Sequence, residues 1–196
     1  VPRMERYERF ASLRLDRPEP GILRIGLDTP GKLNAGDAET FSALRREVTR
    51  ENPAQMGLTY EEELTRTLDS FRSQLTFTHP NAMFGSFVDN ELVATAAVGY
   101  TSRFPSSRHK MLMWGVFTSP RYRRRGLSRQ VVEVATQHAF NNGVCRVNLQ
   151  VYVPNEPALA LYNAIGFVEY GIEPEAVNIG GQYHDGVHMT LVRKKA

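Results

Sequence analysis

Three clusters of side chains in this sequence have the types and spacing to do chemistry. The densest is Ser119-Pro120-Arg121-Tyr122-Arg123-Arg124-Arg125-Gly126-Leu127-Ser128. An apolar run from Met111 to Phe117 precedes it, long enough for one buried strand. Leu127, Val131, Val134, Ala135 and Ala139 follow it at helical spacing. The ten residues therefore read as a strand-to-helix turn. The first N–H groups of such a helix have no intrahelical partners, and with the helix dipole they form an anion site. Gly126 lets a bulky anion approach the backbone with no Cβ in the way. The chemistry indicated is pyrophosphate binding. Read alone, the arginines also suit a solvated basic turn or a nucleic-acid patch.

The second cluster is Asn155-Glu156-Pro157-Ala158-Leu159-Ala160-Leu161-Tyr162-Asn163-Ala164-Ile165-Gly166-Phe167. Asn155 follows Pro154, which breaks a strand, and can cap a helix that Gly166 ends. On spacing alone Tyr162 reads as a core tyrosine. The third cluster is His184 and His188, four apart and able to share a face. Two imidazoles without a third ligand do not make a metal site, and no metal is expected.

Arg123-Arg124-Arg125-Gly126-Leu127-Ser128 resembles the (Arg/Gln)-x-x-Gly-x-(Gly/Ala) signature of the GNAT superfamily of N-acetyltransferases, with Ser128 where Gly or Ala is usual. The Asn155 segment resembles that family's Asn-x-x-Ala-x-x-Leu-Tyr-x-x-x-Gly-Phe segment. The two stand in the family's order, separated by a helix and a strand, and the resemblance runs from about Ala38 to Arg193. It implies an α/β (α+β) GNAT fold: a central mixed, mostly antiparallel sheet of about seven strands, flanked by about four helices and splayed between the fourth and fifth strands. It also implies acetyl-CoA as co-substrate and direct transfer of acetyl to a primary amine of a small molecule, peptide or protein. A non-catalytic CoA-binding module on the same fold is the alternative.

The resemblance implies roles residue by residue. Main-chain atoms of Val116, Phe117 and Thr118 take the pantetheine arm as an added strand. Arg123, Arg124, Arg125, Gly126, Leu127 and Ser128 take the pyrophosphate. Asn155 touches the CoA arm while capping its helix. Tyr162 is the general acid toward the leaving thiolate, since a phenol with an ordinary pKa of about 10 keeps its proton at neutral pH. A backbone N–H on the fourth strand holds the thioester oxygen. The general base has no obvious owner, because Lys110–Thr118 and Cys145–Val153 contain no acid. His109, Glu91, Glu47 and Glu51 are candidates by chemistry only. Cys145 is expected buried and unactivated, a poor nucleophile.

Other elements must position these groups. Asp37 reads as the N-cap of a helix to about Asn52, with Phe41, Leu44, Arg45 and Val48 on one side. Thr59-Tyr60-Glu61-Glu62 reads as a capping box for a helix with Leu64, Leu68, Phe71 and Leu75 as its apolar face. Glu61-Glu62-Glu63 is expected to be a solvated first turn. Ala82–Val88 and Leu92–Tyr100 read as strands joined at Asp89-Asn90, Thr101–His109 as a loop, and Lys110–Thr118 as the next strand, with Trp114 in the core. Phe167–Tyr170 and Gly186–Val192 read as the last strands, with a turn at Asn178-Ile179-Gly180-Gly181. Gly21–Leu27 reads as a first strand. With Asp28–Ala35 it also resembles the amino terminus of the enoyl-CoA hydratase family, but that family's glycine-rich oxyanion segments are absent. Residues 1–36 are thus an extension plus first strand, and 37–196 the GNAT domain.

Bulk properties narrow the classes. With 196 residues the chain has room for one domain with a sizeable core. A net charge of +3 does not demand a nucleic-acid partner. No apolar run approaches the ~18 residues of a membrane span, and the start lacks a signal-peptide core. One cysteine excludes an intrachain disulfide and fits a reducing, cytoplasmic compartment. A homodimer is the expected assembly, from the family resemblance.

Overall fold

The computed structural model describes residues 30–193; the strand expected over Gly21–Leu27 lies outside the described residues. In chain order the elements are β1 (Gly31–Lys32), α1 (Ala38–Glu51), α2 (Pro53–Met56), α3 (Tyr60–Leu64), α4 (Leu68–Leu75), β2 (Ala82–Val88), β3 (Glu91–Gly99), β4 (Lys110–Thr118), α5 (Leu127–Asn141), β5 (Arg146–Tyr152), α6 (Glu156–Ile165), β6 (Val168–Ile179) and β7 (Gln182–Val192). They form the mixed seven-stranded sheet that the resemblance implies, in the order β1-β2-β3-β4-β5-β7-β6. Among the described residues only β4 and β5 run parallel. Their pairing covers Lys110–Leu112 against Arg146–Asn148 and goes no further.

Alternation along the strands divides the apolar residues between two faces. One face packs Val93, Ala94, Met111, Met113, Leu149 and Val187 against Leu127, Val131, Val132 and Ala135 of α5. The other packs Met83, Ala97 and Phe117 against Phe41, Leu44 and Val48 of α1 and Phe71 and Leu75 of α4. Trp114, expected in the core, is half-buried at the margin of this second cluster, with its ring 6.4 Å from Phe77. Among the described residues no helix is long and apolar enough to cross a membrane.

The start of α1 falls where Asp37 places it, but the Asp37 carboxylate accepts from the Asn34 N–H (3.0 Å) and closes the preceding 3-10 turn, Ala35–Asp37. The Thr59/Glu62 capping box forms. The single helix expected beyond it breaks in two. Thr67 caps a new start by accepting from the Ser70 N–H, and Leu64 is left exposed. Glu63 also departs from expectation. It is fully buried, with Arg45 donating to it twice, at 2.8 and 2.7 Å. Arg66 approaches the same carboxylate at 3.7 Å and lies over the Phe71 ring. The helix-start rule treats neighbouring acids alike. Here the turn of α3 rotates only Glu63 toward α1.

The last hairpin is longer than expected, because β6 continues through an interruption between Glu173 and Val177 that no alternation signals. Its turn stands at Gly180-Gly181, within the segment expected to turn.

Removing one partner of a buried ion pair strands the other charge. Glu63→Ala should therefore lower unfolding stability by about 3–5 kcal/mol in urea titration. Glu61→Ala, on the exposed face of the same turn, should stay within about 0.5 kcal/mol of the parent.

Candidate functional site

The site is organised by a bulge in β4. Trp114 stands opposite Ala97 and Phe117 opposite Thr95, so Gly115 and Val116 together face Ala96. Gly115 takes φ +61, a conformation that disfavours any residue with a Cβ. The buried Thr95 hydroxyl donates to the Gly115 carbonyl at 2.7 Å and fixes the kink. Sequence reasoning passed over Thr95; the available signal was a hydroxyl inside the apolar run Leu92–Val98. The extra residue changes the alternation, so Met111, Met113 and then Val116 pack on the α5 side while Trp114 and Phe117 pack on the α1 side. Beyond Leu112, β4 has no ladder with β5. The edge that includes Val116, Phe117 and Thr118 thus offers main-chain N–H and C=O groups to whatever enters the splay.

Directly after that edge comes the arginine loop. Pro120–Tyr122 form a 3-10 turn, Arg124 takes φ +61, and Gly126 takes φ +81 at the N-cap of α5. No side chain caps the helix, so its opening N–H groups remain available. Arg123, Arg124, Arg125 and Gly126 are exposed around them. Leu127 turns into the core, while the Ser128 hydroxyl lies 2.7 Å from that of Thr118, tying the helix start to the end of β4.

Arg121 points elsewhere. Its Nε donates to Glu47 of α1 (3.1 Å) and its Nη2 to Glu91 of β3. Tyr122 donates to the other oxygen of Glu91 at 3.2 Å. The Tyr122 ring also lies 5.5 Å from the Arg121 guanidinium carbon and 5.1 Å from that of Arg125. Glu47 and Glu91, two candidates for general base, are therefore bound to a cation that braces the loop.

Asn155 caps α6, accepting from the Ala158 N–H at 3.3 Å. Tyr162 projects from α6 into the core, edge-on to Phe167 at 5.5 Å. Burial pushes its phenol well above the ordinary tyrosine value, so it remains a proton donor.

His109 immediately precedes β4, at the closed end of the β4–β5 pair, with Nδ1 3.1 Å from the Ser106 carbonyl. Glu51 is exposed at the end of α1. Cys145 is exposed, contrary to expectation. Its alternation matches Val147 and Leu149, but it lies past the last turn of α5, where Val144 fills the core instead. Its Sγ donates to the His109 carbonyl at 3.2 Å, again at the closed end. His184 and His188 both lie on β7, where four residues of extended chain separate them by about 13 Å. Helical spacing would bring them together; a strand does not. His184 meets the Val153 carbonyl and His188 meets Glu173.

The chain matches the Acetyltransferase (GNAT) family over residues 42–167 and belongs to that family. It is 28% identical over 88 residues to spermidine N(1)-acetyltransferase of Vibrio cholerae, covering 44% of this chain and 51% of that protein. It is 30% identical over 112 residues to N-alpha-acetyltransferase RimI of Mycobacterium tuberculosis, covering 57% of this chain and 67% of that one. The match thus spans about half the length of the first relative and two thirds of the second. Among solved structures, a GNAT-family acetyltransferase from Streptococcus pneumoniae superposes with a TM-score of 0.76 at 21% identity, covering 84% of this chain and 98% of that one. A putative acetyltransferase of Salmonella typhimurium, solved with acetyl-CoA, gives 0.71 at 16% identity, covering 86% and 95%. Both share the fold.

The Tyr162 phenol ionises at higher pH in the folded than in the unfolded chain. Its contribution to stability is complete below the unfolded value of about 10 and is lost as pH rises above it. Urea titrations at pH 8 to 11 should show an alkaline loss of stability that Tyr162→Phe reduces.

Proposed function

We propose that this protein transfers acetyl from acetyl-CoA directly to a primary amine, without a covalent acyl-enzyme. The observation that carries the reading is the uncapped, arginine-flanked start of α5 at the mouth of the β4–β5 splay. Two chemically different groups meet there: N–H donors and arginines suited to a pyrophosphate, and a free strand edge suited to the amides of a pantetheine arm.

Bound acetyl-CoA would supply the thioester carbon that accepts the amine. Arg123, Arg124 and Arg125, with the backbone from Gly126 to Ser128, would hold the pyrophosphate. Main-chain groups of Val116, Phe117 and Thr118 would align the arm, and an N–H on β4 would hold the carbonyl oxygen as it gains charge. Tyr162 would donate its O–H to the departing sulfur. A thiol ordinarily ionises near 8.5, below a tyrosine phenol. Tyr162 would therefore keep its proton and act as a hydrogen-bond donor that stabilises the charge gathering on the departing sulfur. The exposed Cys145 lies at the closed end of β4–β5, so its position supports direct transfer. A primary amine is the common acceptor class of the relatives named for spermidine and for N-alpha acetylation.

Acetyl-CoA at 100 times its dissociation constant should stabilise the protein by about 2.7 kcal/mol, read as a rise in Tm. Gly126→Trp, filling the open space over the loop, should remove that rise. A folded parent that shows no shift overturns the reading. Binding without turnover of any amine would select the non-catalytic CoA-binding module instead. Tyr162→Phe should lower kcat about 10²-fold or more with little change in the KM for acetyl-CoA.

A further inference from the structure

The transfer reaction lacks an owner for the proton that an ammonium must lose: Glu47 and Glu91 are held by Arg121, His109 lies at the closed end of the β4–β5 pair, and Glu51 is exposed at the end of α1. A cluster across the outer three strands supplies one. His188 on β7 is the ladder partner of Gln150 on β5 and of Gly171 on β6. Its Nε2 lies 3.3 Å from Oε2 of Glu173 on β6. Gln150 Nε2 donates to the same oxygen at 2.8 Å. To reach Glu173 from β5, the Gln150 side chain crosses β7 over Gly186. A Cβ at Gly186 would sit 2.1 Å from the Gln150 amide nitrogen. The missing side chain is therefore part of the arrangement. The Tyr170 ring lies 5.8 Å from the imidazole on its β6 side.

The placement relative to the splay follows from the register. Leu112 pairs with Asn148. Two more steps along both strands bring Gln150 level with Trp114, next to the Gly115 bulge where the strands have parted. Val187 and Met189 pack on the α5 side. His188 and Gln150 alternate with their core neighbours and face the other way, the side on which Trp114 and Phe117 lie. The anion loop opens into α5. An amine that approached a thioester in the splay from the opposite face would have Gln150 of β5 beside it and His188 one strand further out. Of the helices on that face, short α2 is the one that packs against β5 and β6, with Gln55 donating to the Pro154 carbonyl at 3.2 Å.

We propose that His188 is the general base of the transfer, with Glu173 and Gln150 as positioning residues; the proposal rests on the acetyl-transfer reading above. A carboxylate only accepts hydrogen bonds, so Glu173 fixes the proton of neutral His188 on Nε2 and leaves the Nδ1 lone pair available. Among the described residues nothing hydrogen-bonds to Nδ1. The charged and titratable groups facing the imidazole are Glu173 and Tyr170 of β6; Gln150 of β5 is neutral. In the step, an N–H bond of the substrate ammonium breaks and an Nδ1–H bond forms. The freed amine lone pair then makes the C–N bond as the C–S bond breaks, and the second proton lost from that nitrogen goes to the departing thiolate. The imidazolium, balanced by Glu173, returns its proton to water.

The test uses the whole protein with acetyl-CoA and two acceptors, spermidine and an alanine-initiated peptide, with kcat/KM followed from pH 6 to 10. His188→Gln should lower kcat/KM about 100-fold at pH 7. The deficit should shrink as pH rises and solvent deprotonates the amine, while the KM for acetyl-CoA stays put. Glu173→Gln and Gly186→Ala, which leave the imidazole in place, should give smaller losses that likewise close at high pH. A deficit equal at every pH marks a structural role and overturns the proposal, as does parental activity in His188→Gln. Parent protein that binds acetyl-CoA yet acetylates neither amine overturns the base assignment together with transfer to these amines. Failure to bind acetyl-CoA overturns the underlying reading itself.

Discussion

A hydroxyl-to-carbonyl hydrogen bond in the middle of the sheet, Thr95 to Gly115, holds the geometry from which the rest follows. It fixes a residue that would otherwise be extra in the β3–β4 ladder. A bulge bends its strand and sharpens the local twist. Strand β4 therefore leaves β5 after three paired residues, and a parallel pair that could have zipped shut becomes a cleft. The same extra residue re-aims the side chains beyond it. Without it, Val116 and Phe117 would exchange faces, Phe117 would leave its stack with Phe41, and α1 would lose its seat on the sheet.

The parts of this architecture set by local chemistry were legible in the sequence. The strand Lys110–Thr118, the start of α1, the Thr59/Glu62 box and the Asp89-Asn90 turn rest on nearest-neighbour rules, and the structure places them as expected. The turn between β4 and α5 and the Asn155 helix were legible because a glycine at a helix start and a capping side chain each stand at a particular offset from the apolar pattern. Long-range packing was less legible. Burial of Glu63 depends on Arg45, eighteen residues earlier, and exposure of Cys145 depends on where α5 ends. Glu47, Glu91 and Arg121 are separated by up to 74 residues, and only the fold reveals that both carboxylates meet the one guanidinium. The Gln150–Glu173–His188 cluster joins three strands through a glycine gap, which no one-dimensional spacing encodes.

Two charged arrangements with different physics hold the α1 side. The Arg45–Glu63 pair is dry, and its desolvation cost is offset only because both guanidinium bonds are short and the Phe117 ring lies beneath the cation at 5.7 Å. The pair joins α3 to α1 through both guanidinium bonds. The Arg121 group is solvent-exposed, with 59% of its side chain accessible, and each of its contacts is individually weak. Its value lies in joining three elements through one planar group.

That bracing has a kinetic meaning. A left-handed Arg124 costs about 1–2 kcal/mol, and Tyr122, in contact with both Arg121 and Arg125, helps keep the loop in that shape. On the proposed acetyl-CoA reading, an anion would meet a cradle already formed. Its capture would be governed by diffusion and by the field of exposed arginines, with little waiting for the loop to rearrange. Association would be fast and strongly slowed by salt, while residence time would be set separately, by how many main-chain bonds form along the open edge of β4.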